Sequence, residues 1–168
     1  MTPIDVYLEV GSRKVFACAL EWPGWCRAGR DEEQALEALA ASTERYAAVA
    51  AEAGITFPTE FEFRVVERIP GSGTTDFGAP DKVAARDREP LDGVGADRDA
   101  SLLAAAWVVF DRVVAGAPTA FRKGPRGGGR DRDQIVDHVT ESQVSYARTL
   151  GVGGRQPDLR QAILDVLR

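Results

Sequence analysis

Residues 4 to 10 read IDVYLEV, an alternation of apolar and polar side chains with β-branched and aromatic members. A segment of that pattern buries one face and leaves its backbone donors and acceptors in need of neighbouring strands, so the chain must build a sheet around it. Gly11 to Lys14 supplies a turn and Val15 to Leu20 a second strand, which makes the pair an antiparallel hairpin. Pro23-Gly24 ends that strand, because proline donates nothing to a ladder and glycine accepts turn geometry. Trp25 to Ala28 can pair again as a short third strand.

Asp31 is placed to cap a helix, with Glu32 and Glu33 complementing the positive end of its dipole. An Ala-rich helix is expected from there to about Glu52, with Leu36, Leu39, Ala40, Thr43, Ala47 and Ala50 on one face and Gly54 as its stop. Phe61, Phe63, Val65 and Ile69 then fall at strand spacing in EFEFRVVERI. The order strand, strand, strand, helix, strand follows, read as an antiparallel sheet with one packed helix over residues 1–70.

Residues 71–98 are rich in Gly, Pro and Asp without sustained periodicity, which marks a linker or surface loop. Over residues 99–168 the period changes. Leu102, Leu103, Ala106, Phe110, Val113 and Val114 define an amphipathic helix ending near Gly116. Ile135, Val139, Tyr146 and Leu150, with Ser142 in the same stripe, define a second from about Asp131 to Leu150. After a break at Gly151 to Gly154, Pro157 stands at a plausible first position of a third. The fold class is α+β, a sheet-bearing first part followed by an all-helical second. Three helices are fewer than a closed four-helix bundle requires, so their apolar stripes are expected to bury against the sheet or against a second subunit, and a homodimer is expected.

Composition narrows the function. The net charge is −5, and the acidity belongs to the first part: residues 1–69 carry 7 Lys and Arg against 12 Asp and Glu, residues 99–168 carry 10 against 8. Nucleic-acid binding by the whole protein is not expected, since phosphate contacts need clustered cations. No apolar run is long enough to cross a bilayer, and the N-terminus lacks a basic region followed by an apolar stretch, so a cytoplasmic protein is expected. Two cysteines are too few for a disulfide scaffold, and a single histidine makes a dedicated metal centre unexpected. No cofactor is implied.

Two resemblances add to this reading. The passage ALEWPGWCRAGRDEEQALEALAAS, within Val6 to Ala53, resembles the HicB-like antitoxin domain, in which a strand ends at a Pro-Gly corner before a short strand, an acidic helix start and an Ala-Leu-Glu repeat. It implies a compact sheet with one helix rather than a catalytic centre. In that family a DNA-binding segment follows, and none is identifiable here. The stretches ASLLAAAWVVFDRVVAG and QIVDHVTESQVSYARTLG resemble part of a DinB-like helical bundle. That group often holds a divalent metal with three histidines, and some relatives transfer low-molecular-weight thiols. Only His138 matches such a position, so the resemblance implies the scaffold and not the metal.

Several residues are candidates for chemistry, each with a plainer alternative. Cys26 stands beside Arg27 and Arg30 and before a helix start, where a thiol's pKa can fall; alternatively Trp22, Trp25 and Cys26 pack a corner against the helix. Cys18, inside a strand, is expected to be inert. His138, Ser142 and Tyr146 could line a small polar pocket, or be an edge histidine satisfied by one hydrogen bond and a core tyrosine whose hydroxyl reaches the surface. Arg122, Lys123, Arg126, Arg130 and Arg132 lie around Gly124 and Gly127 to Gly129 ahead of a helix, a setting for an anion or for a solvated loop; the spacing is not that of a phosphate-binding P-loop. An exposed Trp22 or Trp25 would belong to a ligand or partner surface.

The leading functional reading is a non-catalytic interaction or small-ligand-binding protein. The alternative is a DinB-like thiol-dependent transferase or hydrolase with a site between the halves, in which His138 is acid or base, Tyr146 orients, and Cys26 or a thiol cosubstrate is the nucleophile. A transcriptional antitoxin is a third option, set against the net acidity.

Overall fold

The computed structural model describes residues 1–124, 128–153 and 158–168. Arg126, Gly127, Gly154 and Pro157, singled out above, lie outside the described residues. The fold is α+β, and the chain divides into two units, Met1–Asp92 and Gly93–Arg168.

In the first unit the expected hairpin forms between β1 (Thr2–Val10) and β2 (Val15–Ala19), and β3 (Cys26–Gly29) adds to β2, both pairs antiparallel. Gly11 N–H closes the turn on the Lys14 carbonyl at 2.8 Å. β4 (Phe61–Pro70) then pairs with β1 in parallel, giving the strand order β3-β2-β1-β4. The sheet is therefore mixed rather than wholly antiparallel. A helical connection between β3 and β4 carries the chain back to the start of the sheet, which turns β4 in the same direction as β1.

That connection is two helices, not one: α1 (Glu32–Ala40) and α2 (Thr43–Glu52). Alanine-rich periodicity runs through the break without a signal. Ser42 makes it, buried, with its hydroxyl donating to the Leu39 carbonyl at 2.8 Å. The buried positions are Ala35, Leu39, Ser42, Tyr46 and Ala50, while Ala40 is exposed and Thr43 and Ala47 are half-buried. Asp31 caps α1 as expected, accepting from Gln34 N–H at 2.8 Å.

One face of the sheet, with Ile4, Val6, Leu8, Val15, Ala17 and Ala19, packs under α1 and α2. Phe61, Phe63 and Val65 join it from β4, but Ile69 does not. The register between β1 and β4 shifts after Val6, which pairs with Val65, so that Tyr7 pairs with Glu67 and Val66 is left over. This bulge reverses the alternation and sends Ile69 to the opposite face.

That opposite face carries Tyr7, Phe16 and Cys18, and residues 71–92, expected as part of a linker or surface loop, belong to the first unit and cover it. A short α3 (Gly73–Phe77) and a 3-10 turn at Arg86–Arg88 stand in this segment, with Ala84 buried against Tyr7, Phe16 and Cys18. Glu9, fully buried, holds it: the carboxylate accepts from the Thr75 hydroxyl and from the backbone N–H groups of Asp81 at 3.0 Å and Lys82 at 2.9 Å. A lack of periodicity here reflects fastening by side-chain and backbone hydrogen bonds rather than by an apolar stripe.

The second unit is helical: α4 (Gly93–Gly116), α5 (Arg132–Thr149) and α6 (Leu159–Leu167). Its buried cluster is Trp107, Ala147, Val152 and Ile163, with Leu103, Leu159, Leu164 and Leu167 packed around it. Arg160 of α6 grips Asp111 of α4 through two hydrogen bonds, at 2.6 and 2.9 Å, while its guanidinium lies 5.4 Å from the Trp107 ring centroid. α4 starts at Gly93, earlier than its apolar pattern indicates, and Val113, assigned to its stripe, is exposed. Among the described residues no helix is long and apolar enough to cross a membrane.

Candidate functional site

The stretch WPGWCRAGRDEE makes a structural corner on one face of the sheet and a thiol pair on the other. Trp25 N–H closes the turn on the Trp22 carbonyl at 3.0 Å, with Gly24 at φ 83° in the left-handed region that glycine accepts. The Trp25 ring stacks on Tyr46 at 5.6 Å between centroids, and Trp22 packs against Phe57 at 4.7 Å. Trp22 is 7% exposed and Trp25 1%, so neither presents a surface to a ligand or partner. Both are held in the core beneath α2.

Alternation along β3 turns the next residue, Cys26, to the other face. It stands directly opposite Cys18 in the β2–β3 ladder, and Cys18 stands opposite Tyr7 in the β1–β2 ladder, so Tyr7, Cys18 and Cys26 form one row across three strands. The two sulfur atoms are 2.6 Å apart. Cys18 is buried and Cys26 half-buried. The hydrogen bond from Cys26 holds the Cys18 thiol below its ordinary pKa, with the Tyr7 hydroxyl adding to the effect against the cost of burial. The same hydrogen bond, with burial, pushes Cys26 up, and the charge of Arg27 opposes this without reversing it. Burial likewise raises the Tyr7 hydroxyl. The cation expected to activate Cys26 is thus outweighed by its neighbouring thiol, and the α1 N-terminus is occupied by Asp31.

Cys18 is the residue that sequence reasoning set aside. The Pro23-Gly24 turn gives no signal for the pair: a two-residue loop centred there would set Cys18 opposite Gly29, whereas the ladder sets it opposite Cys26. Glu9 was missed as well, since nothing local distinguishes a glutamate at a polar strand position from a solvated one. On the same face Asp5 pairs with Arg64 through two hydrogen bonds, at 2.6 and 2.9 Å, and its carboxyl lies below the ordinary range chiefly for that reason.

The candidates in the second unit do not assemble. His138 is exposed, and Ser142 donates to the His138 backbone carbonyl at 2.8 Å rather than to the imidazole. Tyr146, expected in the core with its hydroxyl outward, is 73% exposed. Ala147, one position on, is buried instead.

In the basic loop Lys123 is engaged with Asp131 at 2.7 Å and with the Gly129 carbonyl at 3.3 Å. Asp131 also accepts from Phe121 N–H at 3.1 Å, and its carboxyl is held low by Lys123 first and by that backbone donor second. Arg132 reaches Asp133 and the Ala117 carbonyl. Arg122 and Arg130 are exposed. The loop's own carboxylate thus occupies the place an anion would take at the start of α5. Among the described residues no three His, Cys, Asp or Glu side chains are grouped so as to hold a metal ion.

Compared with protein-family models, curated proteins and solved structures, the chain matches none.

Proposed function

We propose that the protein is a non-catalytic cytoplasmic interaction protein that works as a homodimer, with α5 as the surface that meets the partner subunit. The observation that supports this reading is the poor burial of α5. Of its 18 residues only Ala147 is buried, whereas Val144 and Tyr146 are exposed and Ile135, Val136 and Val139 are half-covered. An amphipathic helix gains most of its stability from packing that face, so a helix this thinly covered calls for a second surface. The resemblance of this part to DinB-like bundles accords with helix-on-helix association. Exposure of His138 and Tyr146 weighs against the thiol-transferase reading, which needs them sheltered around a substrate.

Sedimentation of the full chain across a range of concentrations tests the proposal. A reversible dimer is expected, weakened more than tenfold by Tyr146→Glu, with the circular dichroism of the variant unchanged. A monomer at every concentration would overturn it.

A further inference from the structure

The row Tyr7–Cys18–Cys26 supports an inference independent of the dimer. We propose that Cys18 and Cys26 form a redox-active dithiol site that exchanges with low-molecular-weight disulfides, closing to a disulfide across the β2–β3 hairpin and reopening when the corresponding thiol is in excess.

The backbone places the two residues for it. Ala19 N–H donates to the Trp25 carbonyl at 3.0 Å, a bond of the kind that flanks a non-hydrogen-bonded pair in an antiparallel ladder, here Cys18 and Cys26. In such pairs the Cα atoms stand about 4.5 Å apart and the side chains are at their closest. A disulfide spans Cα separations from about 4.4 Å upward, so the bond forms here without moving either strand, at the tight end of its range. The sulfurs are already at 2.6 Å and side by side.

Three features make the site exchangeable rather than a permanent staple. A bond formed at the tight end of the permitted geometry is more reducible than a relaxed one. The loop it closes is short, so closing it removes little freedom from the unfolded chain. The two sulfurs also differ in access: Cys26 is half-buried at the edge strand of the sheet, whereas Cys18 is buried.

This division assigns the steps. Cys26, the reachable sulfur, passes its proton across the 2.6 Å contact to Cys18 in its thiolate form and attacks one sulfur of the incoming disulfide; a Cys26 mixed disulfide forms and one small thiolate leaves. Cys18 then attacks the Cys26 sulfur, forming the Cys18–Cys26 bond and expelling the second small thiolate. The two small thiolates take up the two protons that the cysteines gave. The protein dithiol is oxidised by two electrons and the small disulfide reduced to two thiols. With Cys26 capped as the mixed disulfide, the Tyr7 hydroxyl remains to favour the Cys18 thiolate, the form the second step requires.

Oxidised and reduced glutathione, mixed in graded ratios with the full-length protein, provide the test; thiols are then trapped by alkylation under denaturing conditions and the intact mass recorded. The expected result is a single transition in which both alkylation sites vanish together, the oxidised chain lighter than the alkylated reduced one by the mass of two alkyl groups. Cys18→Ser, which removes the resolving sulfur, is expected to accumulate one glutathione on Cys26. Retention of both alkylation sites at every ratio would overturn the proposal, as would disulfide-linked dimers in place of the internal bond. Both outcomes are read on the wild-type chain, whatever the folding of the variant.

Discussion

Trp25 donates its indole N–H to the Ser42 hydroxyl across 3.0 Å and to the Leu39 carbonyl across 3.2 Å, so the residue that divides α1 from α2 is also the one that anchors the core tryptophan. Ser42→Ala removes one acceptor from a buried donor and one donor from a buried carbonyl while leaving the Trp25–Leu39 contact. A loss of about 1 kcal/mol is expected. Trp25→Ala empties the space among Tyr46, Phe57, Phe61 and Phe63 and is expected to cost about 3–5 kcal/mol. Urea unfolding followed by far-ultraviolet circular dichroism measures both. Equal losses would show that the hydroxyl, not the ring, dominates this corner.

Glu9 fastens the segment 71–92 to the sheet through Thr75, Asp81 and Lys82, and Glu9→Gln replaces one acceptor oxygen by an amide that points donors at donors. An unsatisfied buried polar group costs about 1–3 kcal/mol. The loss should be local as well as global. Backbone amides of Asp81 and Lys82 should exchange with deuterium faster in the variant than those of β1 and β2. Uniform acceleration throughout the first unit would instead mean that this segment does not open separately from the sheet.

These two sites show where sequence reasoning reached and where it stopped. The hairpin, the third strand and the Asp31 cap are legible because each is written in neighbouring residues: an alternation, a Pro-Gly break, an aspartate three residues before an acceptor-seeking N–H. The Ser42 break is silent because serine at a helical position differs from alanine only once Trp25 is known to stand over it. The spacing in EFEFRVVERI sets Ile69 with Phe61 and Phe63, because a one-residue bulge at Val66 leaves no mark on composition while reversing every side chain beyond it. The same limit applies to the thiol pair, whose members were weighed singly though the ladder joins them. In the second unit two helices are visible from their period and the third from the break before it, but the pattern sets the inward face of α5 one residue off, at Tyr146 rather than Ala147.

Asp76 ties α3 to the β1–β2 turn, and its charge should be felt in acid. The carboxylate accepts from the Ser12 hydroxyl and from the backbone N–H groups of Arg13 at 2.7 Å and Lys14 at 3.2 Å, and its pKa falls to about 2, the Ser12 hydroxyl being the largest cause. A carboxyl with a depressed folded pKa stabilises the fold above its unfolded value of about 3.9 and loses that contribution as the pH falls through the folded one. The difference in urea midpoint between wild type and Asp76→Asn should therefore be full at pH 6 and shrink between pH about 4 and about 2. A gap that persists unchanged at the acid end would assign the effect to shape rather than charge.

Gly29 closes β3 where the strand presses on α1, and a Cβ built there would lie 2.3 Å from the Ala35 nitrogen and 2.6 Å from the Gln34 carbonyl carbon. Both are backbone atoms of a capped helix, so no side chain can swing aside to make room. Gly29→Ala must push α1 from the sheet edge, and overpacking of this kind costs about 1–3 kcal/mol. Alanine at Gly73, where nothing lies within 4 Å of the added carbon, is the matched control and should be tolerated. Because α1 also carries Leu39, whose carbonyl receives the Trp25 indole, the displaced helix should loosen the tryptophan as well. A red shift of tryptophan emission in Gly29→Ala under native conditions, absent from Gly73→Ala, is the expected signature; equal stability of the two variants would show that the sheet edge and α1 are not packed this closely.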